Sequence, residues 1–249
     1  MRTDRSCCLL AGVASIALAG VVTGSALAGG DAGPAVTVSV NGEVTSPTGI
    51  DIGSGVFNYS GSLVGGAGAW SGGYDFNASA ASGVTGMGTS FLSGNLVVTN
   101  TLSTSQDFEI VLSLPVAANG MLMTLYGGSV AGSLVGDSDG GTFDTIGGDG
   151  VWTASTNGTF VAELLTAPIN VSVDPFKTMM IGSASFGEPI PNASGPNLDS
   201  TLDITLRFSL GAGDSAAFTS VLVAEVVPAP GAVALLATAG LVSRRRRRA

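Results

Sequence analysis

The strictest pattern in this chain is an unbroken alternation of apolar and polar side chains at residues 202–210, LDITLRFSL. Side chains of a β-strand point to opposite faces in turn, so this segment is predicted to be a strand with one apolar face and one solvent face. An apolar sheet face needs a second layer of structure to cover it. The apolar side chains are Leu202, Ile204, Leu206, Phe208 and Leu210.

Similar alternation recurs along the chain. No window of residues 29–226 shows the sustained 3.6-residue period and the capping residues of an α-helix. We therefore expect an all-β fold, an antiparallel β-sandwich with jelly-roll or immunoglobulin-like topology. The interval 178–200, rich in glycine and proline, is expected to be a long surface loop. About ten strands are expected, at 36–40, 55–60, 74–79, 129–136, 151–155, 159–165, 169–173, 202–210 and 215–226, with two more within 95–116 joined by a turn at 103–106.

The charge of the body, residues 29–226, limits its partners. Asp4 is the one acidic residue outside the body, so the body holds 17 of the 18 acidic residues. Seven of the 9 basic residues also lie outside it, which leaves Lys177 and Arg207 and a net charge near −15. Neutralising a phosphate backbone takes clustered Lys and Arg, so we expect no nucleic-acid partner.

The chain has no histidine, and its 2 cysteines, Cys7 and Cys8, lie near the N-terminus. The lack of histidine excludes Ser-His-Asp and Cys-His catalysis and histidine-ligated zinc. Only carboxylates, hydroxyls and one lysine are left in the body for chemistry. We therefore expect a protein that is not an enzyme.

The N-terminus has the order of a secretory signal peptide. Two arginines in the first five residues precede an apolar run from Cys8 to about Val22, and the triplet Ala26-Leu27-Ala28 follows. Small residues at Ala26 and Ala28 predict cleavage after Ala28, so residues 1–28 are predicted to be a signal peptide read by the general secretion machinery. An uncleaved membrane helix is the alternative.

The C-terminus, residues 227–249, has three parts in order: VPAP at 227–230, an apolar stretch at 231–242 and five arginines at 244–248. Twelve apolar residues in a helix span about 18 Å, well short of the roughly 30 Å hydrocarbon core of a bilayer. The positive-inside rule keeps the arginines on the cytoplasmic side and the body outside. A plain C-terminal anchor is the alternative to a sorting sequence.

This order of Pro-x-Pro, short apolar helix and arginine cluster resembles a PEP-CTERM sorting signal, found on exported bacterial proteins and read by exosortase, a membrane transpeptidase-like enzyme. The resemblance implies recognition of Pro-Ala-Pro, cleavage near it, transient contact of the helix with the inner membrane, and delivery of the body to the cell surface or extracellular matrix. Ala229 stands where the family usually has Glu. The residues of the implied signal are Pro228, Ala229, Pro230, Arg244, Arg245, Arg246, Arg247 and Arg248.

The densest acidic stretch is VGDSDGGTFDTIGGDG at residues 135–150. Carboxylates on a glycine-rich loop can converge on Ca²⁺, which takes about six to eight oxygen ligands. The alternative is a solvated loop whose Asp and Gly residues serve turns. The candidate calcium ligands are Asp137, Asp139, Asp144 and Asp149.

We expect an exported surface or matrix protein with a structural or adhesive role and extracellular polysaccharide as a candidate partner. The alternative is a calcium-assisted carbohydrate-binding or glycoside-hydrolysing module. That module would use Trp70, Tyr74 or Trp152 as sugar platforms, although core packing is the role we expect for these rings. Its carboxylates would be Asp107, Glu109 or Asp203, which are expected on the polar faces of strands.

Overall fold

The computed structural model describes residues 33–80, 88–118 and 123–227, which form sixteen β-strands and one short 3-10 turn at Gly66–Gly68. No α-helix occurs in these ranges, and no helical segment within them has the length and apolar character needed to cross a membrane. The strands are β1 (Thr37–Val40), β2 (Glu43–Thr45), β3 (Ile50–Gly53), β4 (Val56–Val64), β5 (Trp70–Ser79), β6 (Gly88–Asn100), β7 (Gln106–Pro115), β8 (Met123–Val135), β9 (Gly141–Asp144), β10 (Trp152–Thr156), β11 (Thr159–Leu164), β12 (Asn170–Val173), β13 (Thr178–Phe186), β14 (Ala193–Gly195), β15 (Thr201–Leu210) and β16 (Ser215–Val227).

The strands form two antiparallel sheets of eight strands each. Sheet 1 has the order β11-β10-β15-β7-β1-β2, and β9 pairs with both β15 and β12. Sheet 2 has the order β13-β8-β16-β6-β5-β4-β3, and β14 also pairs with β8. The expectation of an all-β fold built from antiparallel sheets as a sandwich is confirmed.

The core lies between the inner faces of the two sheets. In β15 the residues with even numbers are buried, as their alternation predicts. The ring of Phe208 in β15 stacks on Phe143 of β9 with centroids 5.1 Å apart, and it meets Phe218 of β16 in sheet 2 at 5.2 Å. This aromatic group therefore joins the two sheets through packed apolar surface.

The last strand, β16, occupies a central position in sheet 2. It lies between β6 and β8 and is paired along almost its whole length on both sides. Its buried residues alternate from Ala216 to Val226. A strand that is paired on both sides therefore ends immediately before residue 228.

The expectation of a surface loop at 178–200 is wrong for much of that interval. Residues 178–186 form β13 and residues 193–195 form β14, and both pair with β8. A β-bulge between Met180 and Gly182 shifts the alternation by one residue, so no single period of two runs through the segment. The remaining residues of the interval, 187–192 and 196–200, lie outside strands as expected.

Every expected strand position is occupied by an observed strand, but the count of about ten is too low. The strands that the pattern does not predict include β2 and β3, in which every residue is exposed. Without a buried face, such strands carry no alternation of apolar and polar residues. The central strands are thus predictable from sequence, whereas these edge strands are not.

Candidate functional site

A polar cleft of about 600 Å³, here called the end groove, is lined by residues of three segments at one end of the sandwich. These segments are 101–105, between β6 and β7, 137–142, which comprises the β8–β9 turn and the start of β9, and 211–214, between β15 and β16. Serine and threonine hydroxyls, glycine backbone and three carboxylates form its wall, so the groove is polar and acidic. The carboxylates belong to Asp137, Asp139 and Asp214.

Asp214 holds two of these segments together. Its side chain is almost fully buried, and its Oδ2 accepts the backbone N–H of Thr142 at 2.9 Å. Its Oδ1 accepts the N–H of Asp137 at 3.3 Å. Burial raises the pKa of the Asp214 carboxyl; the two N–H groups act in the opposite direction, and the nearby charge of Asp137 adds to the rise. Asp214 therefore serves as a structural acceptor in the groove wall.

The sequence offered only a weak signal for Asp214. It lies 77 residues after Asp137, outside the acidic stretch that the sequence singles out. The signal was its place in Gly211-Ala212-Gly213-Asp214, a tight turn between two predicted strands. Pairing of β15 with β9 brings this turn beside the acidic stretch, and no local pattern reveals that pairing.

The structure does not bring the four candidate calcium ligands together. Asp137 and Asp139 share the end groove, where the N–H of Asp139 donates to Oδ1 of Asp137 at 2.8 Å. Asp144 is the last residue of β9, and Asp149 accepts a hydrogen bond from Nη1 of Arg207 at 3.2 Å. Within the described ranges, no group of three or more His, Cys, Asp or Glu side chains is placed to hold a metal ion.

The aromatic side chains that a sugar-binding module would present are buried. Trp152 is 0% exposed, Trp70 is 4% and Tyr74 is 7%. All three belong to the core between the sheets, so the expectation of core packing is confirmed. The alternative in which these rings form an exposed sugar platform is wrong.

Two of the three carboxylates considered for hydrolysis, those of Asp203 and Glu109, take part in contacts along sheet 1. Asp203 accepts hydrogen bonds from the hydroxyls of Ser113 and, at 2.7 Å, Thr201. Burial raises the pKa of Asp203, although these two hydrogen bonds partly offset the rise. Glu109 forms an ion pair with Nε of Arg207 at 3.1 Å. Both carboxylates thus have a structural explanation.

The outer face of sheet 2 carries small polar side chains in register across six strands. One row runs through neighbouring strands as Ser60, Asp75, Asn95, Thr219, Ala131 and Ser183. A parallel row consists of Asn58, Asn77, Ser93, Val221, Ser129 and Ser185. Strands lie about 4.8 Å apart, and hydroxyl or amide groups occupy four positions of the first row and five of the second, with Ala131 and Val221 interrupting them.

Hydrogen bonds hold several side chains of this face in place. Nδ2 of Asn58 donates to Oδ1 of Asp75 at 2.8 Å and to Oδ1 of Asn77 at 3.1 Å. The hydroxyl of Thr219 donates to Oδ1 of Asn95 at 2.7 Å. The face therefore presents an ordered array of donors and acceptors.

The residues predicted for export and sorting lie outside the described residues. This applies to the cleavage positions Ala26 and Ala28, to Pro228, Ala229 and Pro230, and to the arginines at 244–248. Their roles stay predictions.

Comparison with known proteins gives little guidance. No family model matches the chain. No curated protein matches it either. Among solved structures, TmCBM61 in complex with beta-1,4-galactotriose is similar over 51% of this chain and 69% of that chain, with 15% sequence identity and a TM-score of 0.26. A similarity at this TM-score carries no argument about the function of this chain.

Proposed function

We propose that this chain is an exported bacterial protein, delivered to the cell surface or extracellular matrix through its C-terminal signal, where it has a structural or adhesive role without catalysis. The observation that carries the proposal is the order of Pro-Ala-Pro, apolar stretch and arginines that begins at residue 228. An exosortase-like enzyme is the proposed reader of that signal, and the inner membrane its place of action.

The position of the sandwich relative to the proposed cleavage points supports this route. β16 ends at Val227, so a cut near Pro230 would leave every strand of both sheets intact. Among the described residues, the first buried one is Val36, eight positions after the proposed signal cleavage at Ala28. Both cuts would thus release a folded body without removing core residues.

The outer face of sheet 2 supports the adhesive role. Its rows of hydroxyl and amide groups offer donors and acceptors at regular spacing, and Asp75 is the single charged residue in the two rows. Neutral polysaccharides present hydroxyls along an extended chain, which suits such an array better than phosphate polymers do. We propose matrix polysaccharide as the partner of this face.

The intact mass of the protein recovered from the cell surface of its native host tests the sorting route. A mature chain that starts near Gly29 and ends near Pro230 is the expected result. Replacing the five arginines at 244–248 by alanine should block processing. Recovery of a surface protein that retains these arginines, or normal processing of the alanine variant, would contradict the proposal.

Co-sedimentation with insoluble matrix polysaccharide of the host tests the adhesive role. The variant Ser60→Ala, Asn95→Ala, Thr219→Ala removes three groups of one row and should lose most of the binding. The matched control removes three outward hydroxyls of sheet 1, Thr153→Ala, Thr205→Ala and Ser209→Ala, and should bind as the wild type does. Equal binding of both variants would exclude the outer face of sheet 2 as the binding surface.

The finer topology of the sandwich, jelly-roll or immunoglobulin-like, stays a prediction. Strands β3 to β6 are consecutive neighbours in sheet 2, and β16 then separates β6 from β8. Insertion of a late strand between early ones is a feature of Greek-key connections, on which both topologies are built.

A further inference from the structure

Strand β13 forms one end of sheet 2 and differs from the other strands that end the two sheet orders. Strands β2, β3 and β11 each contain one acidic residue, Glu43, Asp51 and Glu163 respectively. β13, with the sequence TMMIGSASF, has no charged residue and no proline in its nine positions. Charges and prolines on edge strands prevent pairing with another chain. β13 lacks that protection.

In the described residues, β13 has a strand partner on one side only, although β11 and β12 of sheet 1 pack close to it. β13 pairs with β8 on one side, and in the described part of the chain no backbone hydrogen bond joins its other side to a strand. Three large apolar side chains lie at this edge with much of their surface exposed: Phe176 at 77%, Met180 at 66% and Met179 at 47%. A partner strand would satisfy the backbone groups and cover part of this apolar surface.

We propose that two copies of this chain associate through β13, antiparallel and related by a two-fold axis, so that sheet 2 continues from one copy into the other. A two-fold arrangement uses the same surface on both partners, which is the commonest symmetry of soluble oligomers. This proposal does not rest on the export route or on polysaccharide binding.

The β-bulge in β13 sets the register. Thr178 and Met180 lie opposite Val135 and Ser133 of β8, on the outer face of the sheet. Beyond the bulge, Ser183 and Ser185 lie on that same face, opposite Ala131 and Ser129. Side chains that face each other across an antiparallel pair share a face. Placing the axis at the bulge therefore sets Met180 against Ser183, and Thr178 against Ser185, of the second copy.

Charges at the two ends of β13 complement each other in this arrangement. Lys177 immediately precedes the strand, and Glu188 lies two residues after its end. Antiparallel pairing brings Lys177 of each copy close to Glu188 of the other, which gives two opposite-charge contacts per dimer. Both ion pairs found in the described residues involve Arg207, so the side-chain ammonium of Lys177 forms no ion pair there.

Sedimentation analysis of the full chain in mild detergent, over a range of concentrations, tests the proposal. Met180→Lys places a charge on the edge of β13 and should raise the dissociation constant of the dimer at least about tenfold. Ile50→Lys is the matched control, because Ile50 is 65% exposed on the edge strand β3 at the opposite end of sheet 2. It should leave the dissociation constant unchanged.

Three outcomes of that experiment would overturn the proposal. The first is a wild-type chain that stays monomeric at all concentrations, and the second is a dimer that Met180→Lys does not weaken. The third is dissociation by Ile50→Lys, which would indicate head-to-tail association through β3. An unchanged melting temperature of both variants shows that folding is not the cause, as expected for exposed positions.

Charge reversal distinguishes specific antiparallel pairing through β13 from non-specific hydrophobic association of its apolar residues. Lys177→Glu and Glu188→Lys should each weaken the dimer, because each places like charges together at the two contacts. The double variant Lys177→Glu, Glu188→Lys should restore it, since the contacts are reversed but again opposite in sign. Failure of the double variant to restore the dimer would contradict the antiparallel arrangement.

Cross-linking tests the register directly, in a background in which Cys7 and Cys8 are replaced by Ser. Mixing a Met180→Cys chain with a Ser183→Cys chain should give a disulfide-linked dimer, since these positions face each other in the proposed pair. Neither variant alone should cross-link to the same extent. Equal cross-linking of the single variants would contradict the register.

Discussion

The indole of Trp152 in sheet 1 donates a hydrogen bond of 2.7 Å from Nε1 to the hydroxyl oxygen of Ser220 in sheet 2. Both residues are buried, so this bond crosses the apolar layer between the sheets. A buried indole N–H without an acceptor costs free energy because water can no longer satisfy it. The bond therefore ties the two sheets together at a defined position.

Ser220→Ala should lower the free energy of unfolding by about 1–3 kcal/mol, because it leaves the indole N–H of Trp152 without its acceptor. Urea unfolding followed by tryptophan fluorescence measures the change. Thr219→Ala, on the outer face of the same strand, should change the stability by less than about 0.5 kcal/mol. Trp152→Phe combined with Ser220→Ala should lose less than the sum of the two single changes. An additive double variant would show that the bond contributes nothing.

Asp203 should make the protein more stable as the pH falls from neutral. Burial raises the pKa of this carboxyl in the folded state above its ordinary value near 3.8, so the folded state binds its proton more tightly than the unfolded chain does. The resulting stabilisation is complete below the unfolded pKa and is lost as the pH rises through the folded pKa. Asp203→Asn should thus stabilise the protein at pH 7 more than at a pH near 4.

Urea unfolding of both proteins at the two pH values checks this prediction. Asp174→Asn removes the same charge from an exposed position and controls for the general repulsion within an acidic protein. A larger stability gain for Asp203→Asn at low pH than at neutral pH would contradict the proposed sign.

Gly94→Ala should destabilise sheet 2 by about 1–3 kcal/mol. A Cβ atom at Gly94 would lie 2.3 Å from Cα of Phe76 and 2.3 Å from the carbonyl oxygen of Asp75, both on the neighbouring strand β5. Backbone atoms cannot move away without disturbing the strand pair. Thermal unfolding measures the effect, and Ser93→Ala, one residue earlier on the outer face, serves as the control. Equal melting temperatures of the two variants would show that the sheet adjusts without cost.

Asn100→Asp should destabilise the protein strongly at neutral pH. Asn100 is fully buried, and its Nδ2 lies 3.1 Å from the carbonyl oxygen of Leu210 and 2.9 Å from that of Gly211. A carboxylate there would face these acceptors without a proton to donate, at a cost of about 3 kcal/mol. Protonation should recover part of this loss, so the deficit should shrink on acidification. Asn95→Asp on the outer face, which lies opposite Asp75, should show a smaller loss at neutral pH.

The sequence predicted the strands with one buried face, because burial and side-chain period then coincide. β15 and β16 show this along their whole length. β13 was missed because its bulge breaks the period, and β3 because none of its residues is buried. The alternation that identifies a strand in the sequence depends on the burial of one of its faces. A strand without a buried face therefore cannot be recognised from this pattern.

The candidate sites were less predictable than the fold. Asp137 and Asp139 of the acidic stretch do share the end groove, but its third carboxylate, Asp214, comes from a distant turn. Asp149 belongs to the same acidic stretch, but its carboxylate forms an ion pair with Arg207. Which carboxylates share a cleft is decided by strand order, and that order involves pairings between residues far apart in sequence.

The central position of β16 has a consequence for when the protein can fold. The hydroxyls of Thr99 and Ser215 meet at 2.7 Å although the residues are 116 positions apart. Until β16 is available, neither β6 nor β8 has its partner on that side. A chain that crosses a membrane from its N-terminus must therefore stay largely unfolded until its last strand has emerged. If the chain is exported as proposed, the strand order makes its passage across the membrane and its folding successive events.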